Sequence, residues 1–390
     1  MIIGFDVSQT GRAKAGCGYF ADSLLRHLVS LDHHNDYILY PTFGNGVWDA
    51  EWPQATLRPR ASNVRRGLGH RLADELDAFW RNPPADLEQQ LGRPDVIQSN
   101  NFFCPPQLAR ARLVYTLHDL AFLEYPGWTT EDNRITCFTG VFNAAITADR
   151  VVAVSDYTRR HFLQLFPHYP ADRVSVVHEA SRFPDSPPAS RPSGLPPLTA
   201  GEFWLAAGTL EPRKNHPRLL RAFARLPRSR PLVLVGGRGW MMEDFDSLLD
   251  ELDLRRDVHV LGYVSDQALQ WLYANCWAFV YPSLFEGFGL PVVEAMSMGA
   301  AVITSNTTSL PEVAGDAAVL VDPIDEDALL DAMHRLDVDQ AEVAELRRRG
   351  LARAAAFSWD RAATQMLELY ERVVGERPVS FGPPLAPTRS

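Results

Sequence analysis

One stretch of the chain, residues 281–299, combines features that few folds can hold together. It follows a short apolar run at residues 278–281, whose aromatic and β-branched side chains are typical of a buried strand. A loop with Gly287 and Gly289 comes next, and glycines let backbone amides approach a ligand closely. Pro291 suits the first turn of a helix. A strand, a glycine loop and a helix N-terminus in this order predict a site that binds an anion.

Two carboxylates bracket this loop, Glu286 before it and Glu294 on the predicted helix. The segment that contains them, E-G-F-G-L-P-V-V-E-A-M, closely resembles the signature of the retaining GT-B glycosyltransferases of family 4, in their mannosyltransferase branch. The resemblance implies that Glu286 faces the donor sugar and that Glu294 hydrogen-bonds the nucleotide ribose. The ordinary alternative is a strand–helix turn with a capping acid. The match of the whole segment in order favours the family.

Composition restricts the classes of protein to consider. The 390 residues suit two domains of about 150–200 residues each. A net charge of −10 argues against a nucleic-acid partner. No apolar run reaches the ~18–20 residues that span a bilayer, and the N-terminus reads as a strand rather than a signal peptide. Four separated cysteines without a C-x-x-C pair predict free thiols. We therefore expect a cytoplasmic protein, with room for a peripheral contact at the inner face of the plasma membrane.

A second motif supplies cations. Residues 208–215, G-T-L-E-P-R-K-N, follow a predicted strand and resemble the family's G-x-x-x-P-R-K-N segment. The resemblance implies that Arg213 and Lys214 hold the donor diphosphate. Cleavage of a sugar–phosphate bond leaves extra negative charge on the departing nucleoside diphosphate, which two fixed cations can stabilise. Without this motif, an Arg–Lys pair would usually be only a solvated surface feature.

The N-terminal part offers a weaker glycine motif. A strand over residues 2–7 precedes a loop with Gly16-x-Gly18 and a helix from about residue 19 to 31. The family has a comparable loop near the donor diphosphate, which implies that Gly16 and Gly18 contact the donor. An ordinary βα loop fits these residues equally well. The dinucleotide fingerprint G-x-G-x-x-G is absent.

A histidine motif follows a predicted strand in the same half. Residues 114–119, V-Y-T-L-H-D, resemble the family's V-x-T-x-H-D-like segment. The resemblance implies that His118 approaches the donor sugar and that Asp119 lies on the acceptor side. A lone histidine after a strand is more often a hydrogen-bonded structural residue, so this role depends on the motif. The loop at Pro126, Gly127 and Trp128 would border the acceptor site.

Several other segments match the family, and one departs from it. Residues 151–158 resemble its V-x-x-V-S-x-Y-T segment, and residues 310–315 its L-P-E-V-x-G segment. Family members commonly carry an I-P-N-G-V-D-like turn where this chain has V-H-E-A-S at residues 177–181. Sugar or phosphate contacts of that turn are therefore not expected here. By resemblance, further donor-binding positions are Tyr263, Val264, Phe288, Gly289 and Leu290.

Strands alternate with helices in both halves, which predicts an α/β protein with two doubly wound, Rossmann-like domains facing a central cleft, the GT-B arrangement. The Pro- and Ser-rich residues 183–198 form the best linker. We expect an acceptor-side domain at 1–185, a nucleotide-sugar-binding domain at 199–357, and a helix at about 359–375 that packs back on the first domain. A helix with arginines is also expected over residues 63–80. It would suit an anionic membrane surface, although a core-facing helix fits better.

The resemblance implies a retaining transfer of hexose, with GDP-mannose as donor and a glycan or lipid-linked acceptor, in surface polysaccharide biosynthesis. His118, Glu286, Arg213 and Lys214 are the expected catalytic residues. No cofactor and no metal are expected, because the two cations would replace a metal. One alternative is a UDP-sugar-dependent enzyme of the same fold, and another is a nucleotide-sugar epimerase or hydrolase. An NAD-dependent enzyme would need the missing fingerprint, and a non-catalytic sugar-binding scaffold is disfavoured because the charged motif residues are intact.

Overall fold

The computed structural model describes residues 1–11, 14–44, 61–68, 73–106, 108–183, 186–188, 190–227, 230–239 and 244–376. Helices surround two parallel β-sheets, one built before residue 177 and one after residue 203. The α/β, doubly wound architecture predicted from the sequence is confirmed. The boundaries 1–185 and 199–357 stay predictions, and the change of sheet falls between the strands that end at Val176 and begin at Trp204.

The first sheet has seven parallel strands in the order β3-β2-β1-β4-β5-β6-β7. They are β1 (Ile2–Asp6), β2 (Asp36–Tyr40), β3 (Val64–Arg66), β4 (Val96–Ser99), β5 (Arg112–Leu117), β6 (Arg150–Ala153) and β7 (Val174–Val176). The strand order reverses between β1 and β4. Open sheets of this kind bind ligands at the carboxyl ends of the strands beside such a switch point.

The second sheet has six parallel strands in the order β10-β9-β8-β11-β12-β13. They are β8 (Trp204–Ala207), β9 (Leu232–Val235), β10 (Val258–Val260), β11 (Ala278–Tyr281), β12 (Ala301–Ser305) and β13 (Val319–Val321). Here the order reverses between β8 and β11. The loops that follow these two strands carry the Arg–Lys motif and the glycine motif, so the sheet order makes the two motifs neighbours.

Helices lie between most successive strands, as parallel pairing requires, and the last three helices follow the final strand. They are α1 (Gly16–Leu31), α2 (Ala73–Arg81), α3 (Leu87–Gln90), α4 (Ala121–Glu124), α5 (Glu131–Thr147), α6 (Asp156–Leu165), α7 (His216–Ala224), α8 (Phe245–Glu251), α9 (Asp266–Asn275), α10 (Leu290–Ser297), α11 (Leu310–Ala314), α12 (Glu326–Val338), α13 (Gln340–Ala354) and α14 (Trp359–Gly375). Ser155 caps α6 by accepting a hydrogen bond from the Thr158 amide.

Helix α14 follows the second sheet in sequence but packs on α1 beside the first sheet. The Tyr370 hydroxyl donates to Gln98 Oε1 over 3.1 Å. His27 Nδ1 lies 2.6 Å from Asp360 Oδ1, which joins the outer surfaces of the two helices. The last helix therefore ties the second half of the chain to the first.

The apolar core is continuous between the two sheets. One cluster of buried side chains extends from β1 and α1 through Val177, Ala180 and Phe183 to Phe203 and the second sheet. All four cysteines are free thiols, as predicted, and three of them are buried. The two halves therefore meet through packed side chains.

The helix expected over residues 63–80 is wrong in its first part. Residues Val64–Arg66 form the edge strand β3, in which Val64 pairs with Tyr37 of β2. Leu68 has φ +50, which ends any regular element there, and the structure describes the following helix, α2, over Ala73–Arg81. The arginine-rich turn proposed for a membrane surface is thus not part of a helix at Arg65 and Arg66; Arg71 lies outside the described residues.

Among the helices that the structure describes, none is both long enough and apolar enough to cross a membrane.

Candidate active site

Glu286 is the centre of a polar cluster at the carboxyl end of the second sheet. Its Oε1 accepts hydrogen bonds from Lys214 Nζ (2.7 Å), the Tyr281 hydroxyl (2.7 Å) and Ser283 Oγ (2.6 Å). Its Oε2 accepts one from Arg213 Nη1 over 2.7 Å. The structure thus brings the glutamate of the glycine motif into direct contact with both cations of the Arg–Lys motif.

The side chains of this cluster set one another's ionisation states. Burial alone would raise the pKa of Glu286, but Arg213 and Lys214 hold it at about 2. Burial opposes the charge of Arg213, yet Glu286 and Glu211 keep its pKa well above the usual range. Burial and the neighbouring Arg213 lower the pKa of Lys214. Two cations therefore share two carboxylates here, since Arg213 Nη2 also donates to Glu211 over 2.7 Å.

Asn215 explains why the Arg–Lys turn lies against the glycine loop. Its backbone is left-handed, with φ 62, which lets the turn reverse into α7. Its Nδ2 donates to the carbonyl oxygens of Pro282 (3.0 Å) and Pro323 (2.7 Å). One buried amide thereby joins three loops of the second sheet and holds the two cations in place.

Gly287 makes one of the close contacts between the two halves of the chain. A Cβ on this residue would lie 1.7 Å from the His118 carbonyl oxygen, so only glycine allows this approach. The Gly287 carbonyl accepts hydrogen bonds from Ser155 Oγ and from Thr158 Oγ1, the latter over 2.9 Å. The loop that carries Glu286 is therefore seated directly on the first sheet's His118 segment.

The orientation of His118 is set by a backbone carbonyl. Its Nε2 lies 2.9 Å from the Asn100 oxygen, and because a carbonyl can only accept, this nitrogen carries the proton. Its ring packs edge-on against Phe20, with centroids 5.3 Å apart. Burial lowers the pKa of His118. The imidazole is therefore neutral near pH 7, and its Nδ1 has an open lone pair, 3.9 Å from Glu179 Oε1.

Glu294 is deeply buried on α10 and faces an arginine that the sequence analysis did not single out. Arg182 Nη1 lies 3.3 Å from Glu294 Oε1, and the Tyr273 hydroxyl lies 3.5 Å from Oε2. Burial raises the pKa of Glu294 to about 7, although Arg182 opposes this shift. The predicted ribose ligand is thus protonated more readily than an exposed glutamate.

Arg182 also links the two halves on this side of the cleft. Its guanidinium stacks on the ring of Tyr19 from α1, 3.6 Å from the ring centroid. The Tyr19 hydroxyl lies 3.1 Å from that of Tyr263 in the second half. Tyr263, one of the predicted donor-binding residues, is 61% exposed and so stands at the cleft rim. Its neighbour Val264 is half-buried.

The structure separates the two glycines of the N-terminal motif. Helix α1 begins at Gly16, so both lie in its first turn rather than in the expected loop that ends before residue 19. A Cβ on Gly18 would lie 2.0 Å from the Gln9 carbonyl, which gives this glycine a packing role. A Cβ on Gly16 would meet nothing within 4 Å. Ala15 provides no side-chain cap, so the first amides of α1 have no capping side chain.

The remaining predicted residues lie in three settings. Asp119 Oδ1 accepts from the Ala121 amide over 3.0 Å and so organises the start of α4. Phe288 is buried, 5.5 Å from the ring of Phe357. Gly289 has φ +114 and caps α10, which begins at Leu290. Any contact of Phe288 or Gly289 with a donor is made through the backbone, because the Phe288 side chain is buried and Gly289 has none.

Two residues of the cleft were missed in the sequence analysis, Glu179 and Arg182. Both follow β7, at or next to the segment that departs from the family's turn. The one signal in the sequence was the departure of this segment from the family's turn, which places a glutamate there. Over the described parts of the chain, no group of three or more His, Cys, Asp or Glu side chains is arranged to hold a metal ion.

Two sheets with matching switch points, a cation pair on a glutamate and a histidine across the cleft define the chain as a GT-B glycosyltransferase. Two family models agree: Glycosyltransferase Family 4 matches residues 15–180, and Glycosyl transferases group 1 matches residues 197–353. The O-antigen chain mannosyltransferase B of Escherichia coli is 39% identical over 289 residues, which cover 71% of this chain and 74% of that protein. The chain belongs to the family 4 glycosyltransferases, in the branch that resembles the mannosyltransferases.

Solved structures agree with this fold. Sucrose-phosphate synthase from Thermosynechococcus elongatus superposes with a TM-score of 0.74 at 20% identity, covering 96% of this chain and 99% of that one. WaaG, a glycosyltransferase involved in lipopolysaccharide biosynthesis, superposes with a TM-score of 0.68 at 14% identity, covering 95% and 99%. At these identities the likeness concerns the fold alone, and it confirms the GT-B prediction.

Proposed function

We propose that this enzyme transfers a mannosyl group from GDP-mannose to a glycan or lipid-linked saccharide during polysaccharide biosynthesis, with retention of the anomeric configuration. The observation that carries the proposal is the contact of Glu286 with both Arg213 and Lys214, in a loop whose Gly287 packs against the His118 carbonyl. The E. coli relative is named as an O-antigen chain mannosyltransferase, which supports mannose as the transferred sugar.

The two cations are suited to the donor's leaving group. Arg213 and Lys214 are held by carboxylates in a buried site, where the effective dielectric is low and charge interactions are strong. The departing diphosphate gains negative charge as the sugar–phosphate bond breaks, and preorganised cations stabilise this charge without reorganising. We assign charge neutralisation to these two side chains rather than to a metal, and Glu294 to the ribose.

The reaction step proposed is same-face substitution. The acceptor hydroxyl attacks the anomeric carbon on the face from which the diphosphate leaves, so a new C–O bond forms as the old one breaks. The hydroxyl proton passes to an oxygen of the departing β-phosphate. Glu286 orients sugar hydroxyls, while His118 stabilises the oxocarbenium-like sugar or positions the acceptor. No protein nucleophile is used.

An aromatic platform supports the choice of a saccharide acceptor. The rings of Tyr125 and Trp128 are stacked with centroids 3.9 Å apart and an interplanar angle of 10°. Tyr125 is 41% exposed, and its ring packs edge-on against Phe285, the residue before Glu286. Aromatic faces carry negative charge density and favour the C–H groups of a pyranose face. A partly exposed aromatic pair thus packs against the residue that precedes Glu286.

A panel of nucleotide sugars tests the donor assignment. A donor at about 100 times its Kd adds about 2.7 kcal/mol to the free energy of unfolding, which thermal unfolding detects readily. We expect GDP-mannose and GDP to stabilise the protein, and UDP-glucose and free mannose to leave it unchanged. Stabilisation by UDP-sugars alone would show that the donor is a UDP-sugar rather than GDP-mannose. Conversion of GDP-mannose to free GDP and an epimerised sugar without acceptor would indicate an epimerase.

A further inference from the structure

Glu179 is a buried acid in the cleft for which the proposed mechanism has no use. It is 4% exposed and follows β7, where the family's turn is replaced by V-H-E-A-S. Across the described residues, no hydrogen bond reaches its carboxyl group, and His118 Nδ1 lies 3.9 Å from its Oε1. A buried carboxyl group without a hydrogen-bond partner is costly, so it points to a ligand that completes the site.

The distance between the two groups suits a bridging atom. At 3.9 Å, Glu179 Oε1 and His118 Nδ1 are too far apart for a direct hydrogen bond. One oxygen placed between them can lie about 2.8 Å from each, an ordinary hydrogen-bond distance. His118 is already oriented for this, because the Asn100 carbonyl holds the proton on Nε2 and leaves the Nδ1 lone pair open.

The electrostatic surroundings decide which group donates. Burial and the nearby carboxylates of Glu294 and Glu286 raise the pKa of Glu179 well above its usual range. Burial lowers the pKa of His118. These shifts favour the protonated acid and the neutral imidazole, so Glu179 can offer an O–H donor and His118 an acceptor. A hydroxyl group matches this pair, because it accepts one hydrogen bond and donates another.

We propose that Glu179 and His118 together bind one hydroxyl group of the transferred hexose, which makes Glu179 a specificity-determining residue of this enzyme. The hydroxyl oxygen accepts from the Glu179 carboxyl group and donates to His118 Nδ1. This inference rests on the proposed function, since it places the sugar of a nucleotide donor between Glu286 and His118. It adds a sugar contact at the point where the chain departs from the family's turn.

The test is a calorimetric measurement of Kd for GDP-mannose, for its 2-, 3-, 4- and 6-deoxy analogues and for GDP, without acceptor. Loss of one neutral hydrogen bond corresponds to about 1 kcal/mol, or about fivefold in Kd. We expect Glu179→Ala to raise the Kd for GDP-mannose by at least about fivefold and to leave the Kd for GDP unchanged. Glu179→Gln keeps an N–H donor at the same place and should stay within about twofold of the wild type.

The deoxy analogues distinguish a sugar contact from a structural effect. One analogue should bind the wild type more weakly than GDP-mannose does, and for that analogue alone Glu179→Ala should cause no further loss. Equal weakening of GDP and GDP-mannose, or of every analogue, would overturn the assignment and make Glu179 structural. Equal losses in Glu179→Gln and Glu179→Ala would contradict donation by a neutral acid.

Failure of the proposed function gives a different result. If no nucleotide sugar binds the wild-type protein, both the function and this subsite are overturned. If GDP-mannose binds well and its affinity does not depend on Glu179, only the subsite is overturned. The affinity for GDP serves in each variant as the check that the nucleotide site is intact.

Discussion

Lys214 Nζ lies 2.7 Å from Glu286 Oε1, although 72 residues separate them in sequence. They meet because β8 and β11 are adjacent strands, and the loops after both strands lie at the same edge of the sheet. The contact means that the cation proposed for the diphosphate already has a carboxylate partner. Donor binding must therefore redistribute an existing charge network, in which Arg213 also takes part.

Lys214→Ala should reduce kcat by at least about a hundredfold, because one of the two cations facing the departing diphosphate is lost. The fold should persist, since Arg213, Tyr281 and Ser283 still bond Glu286. Single-turnover and steady-state rates would be compared with circular dichroism of the variant.

The matched control is Arg225→Ala, which removes a half-exposed cation paired with Asp327 on the surface of the same sheet's helices. Its kcat should equal that of the wild type. An undiminished kcat in a folded Lys214→Ala variant would remove this lysine from the mechanism.

Glu294→Gln should weaken the binding of GDP as well as that of GDP-mannose, because a ribose hydroxyl loses a carboxylate acceptor. The wild-type affinity should also depend on pH. With a pKa of about 7, the carboxylate form of Glu294 becomes dominant as pH rises from 6 to 8. The affinity of the wild type for GDP should thus increase over this range. The affinity of Glu294→Gln for GDP should change less with pH. Identical pH profiles would leave Glu294 as a buried structural acid.

The same pKa predicts a change in stability. Because the folded state raises the pKa of Glu294 from 4.5 to about 7, it favours the protonated acid. This contribution is fully present below pH 4.5 and is lost as pH rises through about 7. Glu294→Gln should therefore gain stability relative to the wild type between pH 5 and 8 in urea unfolding. A constant difference would mean that the carboxyl group is ionised throughout.

Activity should survive excess EDTA, because Arg213 and Lys214 are assigned the charge neutralisation that a divalent ion provides in other enzymes. Rates measured with EDTA and after adding Mg²⁺ or Mn²⁺ to saturation would decide the matter. Complete loss with chelator and recovery with one ion would overturn the assignment of the two cations.

Much of the fold could be predicted because the strands are short, buried and separated by amphipathic helices. The exception, residues 63–80, shows the limit of periodicity. Apolar residues spaced four apart suggested one helix, but pairing of Val64 with β2 and the positive φ of Leu68 divide the segment. Both are properties of tertiary structure, which a local period does not reveal.

The candidate site also contains residues that the sequence predicted and residues that it did not. Arg213 and Glu286, which lie inside matched motifs, are in direct contact, while their roles toward a donor stay predictions. Glu179 and Arg182 enter the cleft from the connection after β7, whose sequence departs from the family. Their roles depend on the approach of one half of the chain to the other, which no local pattern records. The sequence also did not distinguish the packing role of Gly18 from a ligand role.

Glu312 should control the closure of the cleft. Its carboxylate accepts from the first amides of α6, Asp156 N (2.8 Å) and Tyr157 N (3.0 Å), and lies 2.7 Å from His178 Nε2. A carboxylate at a helix N-terminus is favoured by the helix dipole. Glu312→Ala should lower kcat by about three- to tenfold, the equivalent of one or two hydrogen bonds, with GDP affinity nearly unchanged.

Loss of the Glu312 contact should also let the two halves of the chain move apart. Small-angle scattering of Glu312→Ala would detect this as an increase in the radius of gyration. Glu345→Ala is the control, since that carboxylate pairs with Arg348 and Arg349, two exposed arginines of its own helix. An unchanged kcat and unchanged scattering in Glu312→Ala would show that the two halves do not depend on this contact.

Stereochemistry tests the central claim most directly. An inverting enzyme needs a general base on the face opposite the leaving group, near the acceptor hydroxyl. A double displacement needs a carboxylate nucleophile at the anomeric carbon. The proposal instead uses the departing phosphate as the base, with Glu286 engaged by Lys214 and Arg213 and therefore unsuited to nucleophilic attack.

Proton NMR of the new anomeric signal, recorded early in the reaction with α-linked GDP-mannose, decides between these mechanisms. The account predicts an α-linked product and no glycosyl-enzyme in intact-protein mass spectra. A β-linked product would contradict the retaining mechanism, and a covalent adduct on Glu286 would replace same-face attack by two displacements.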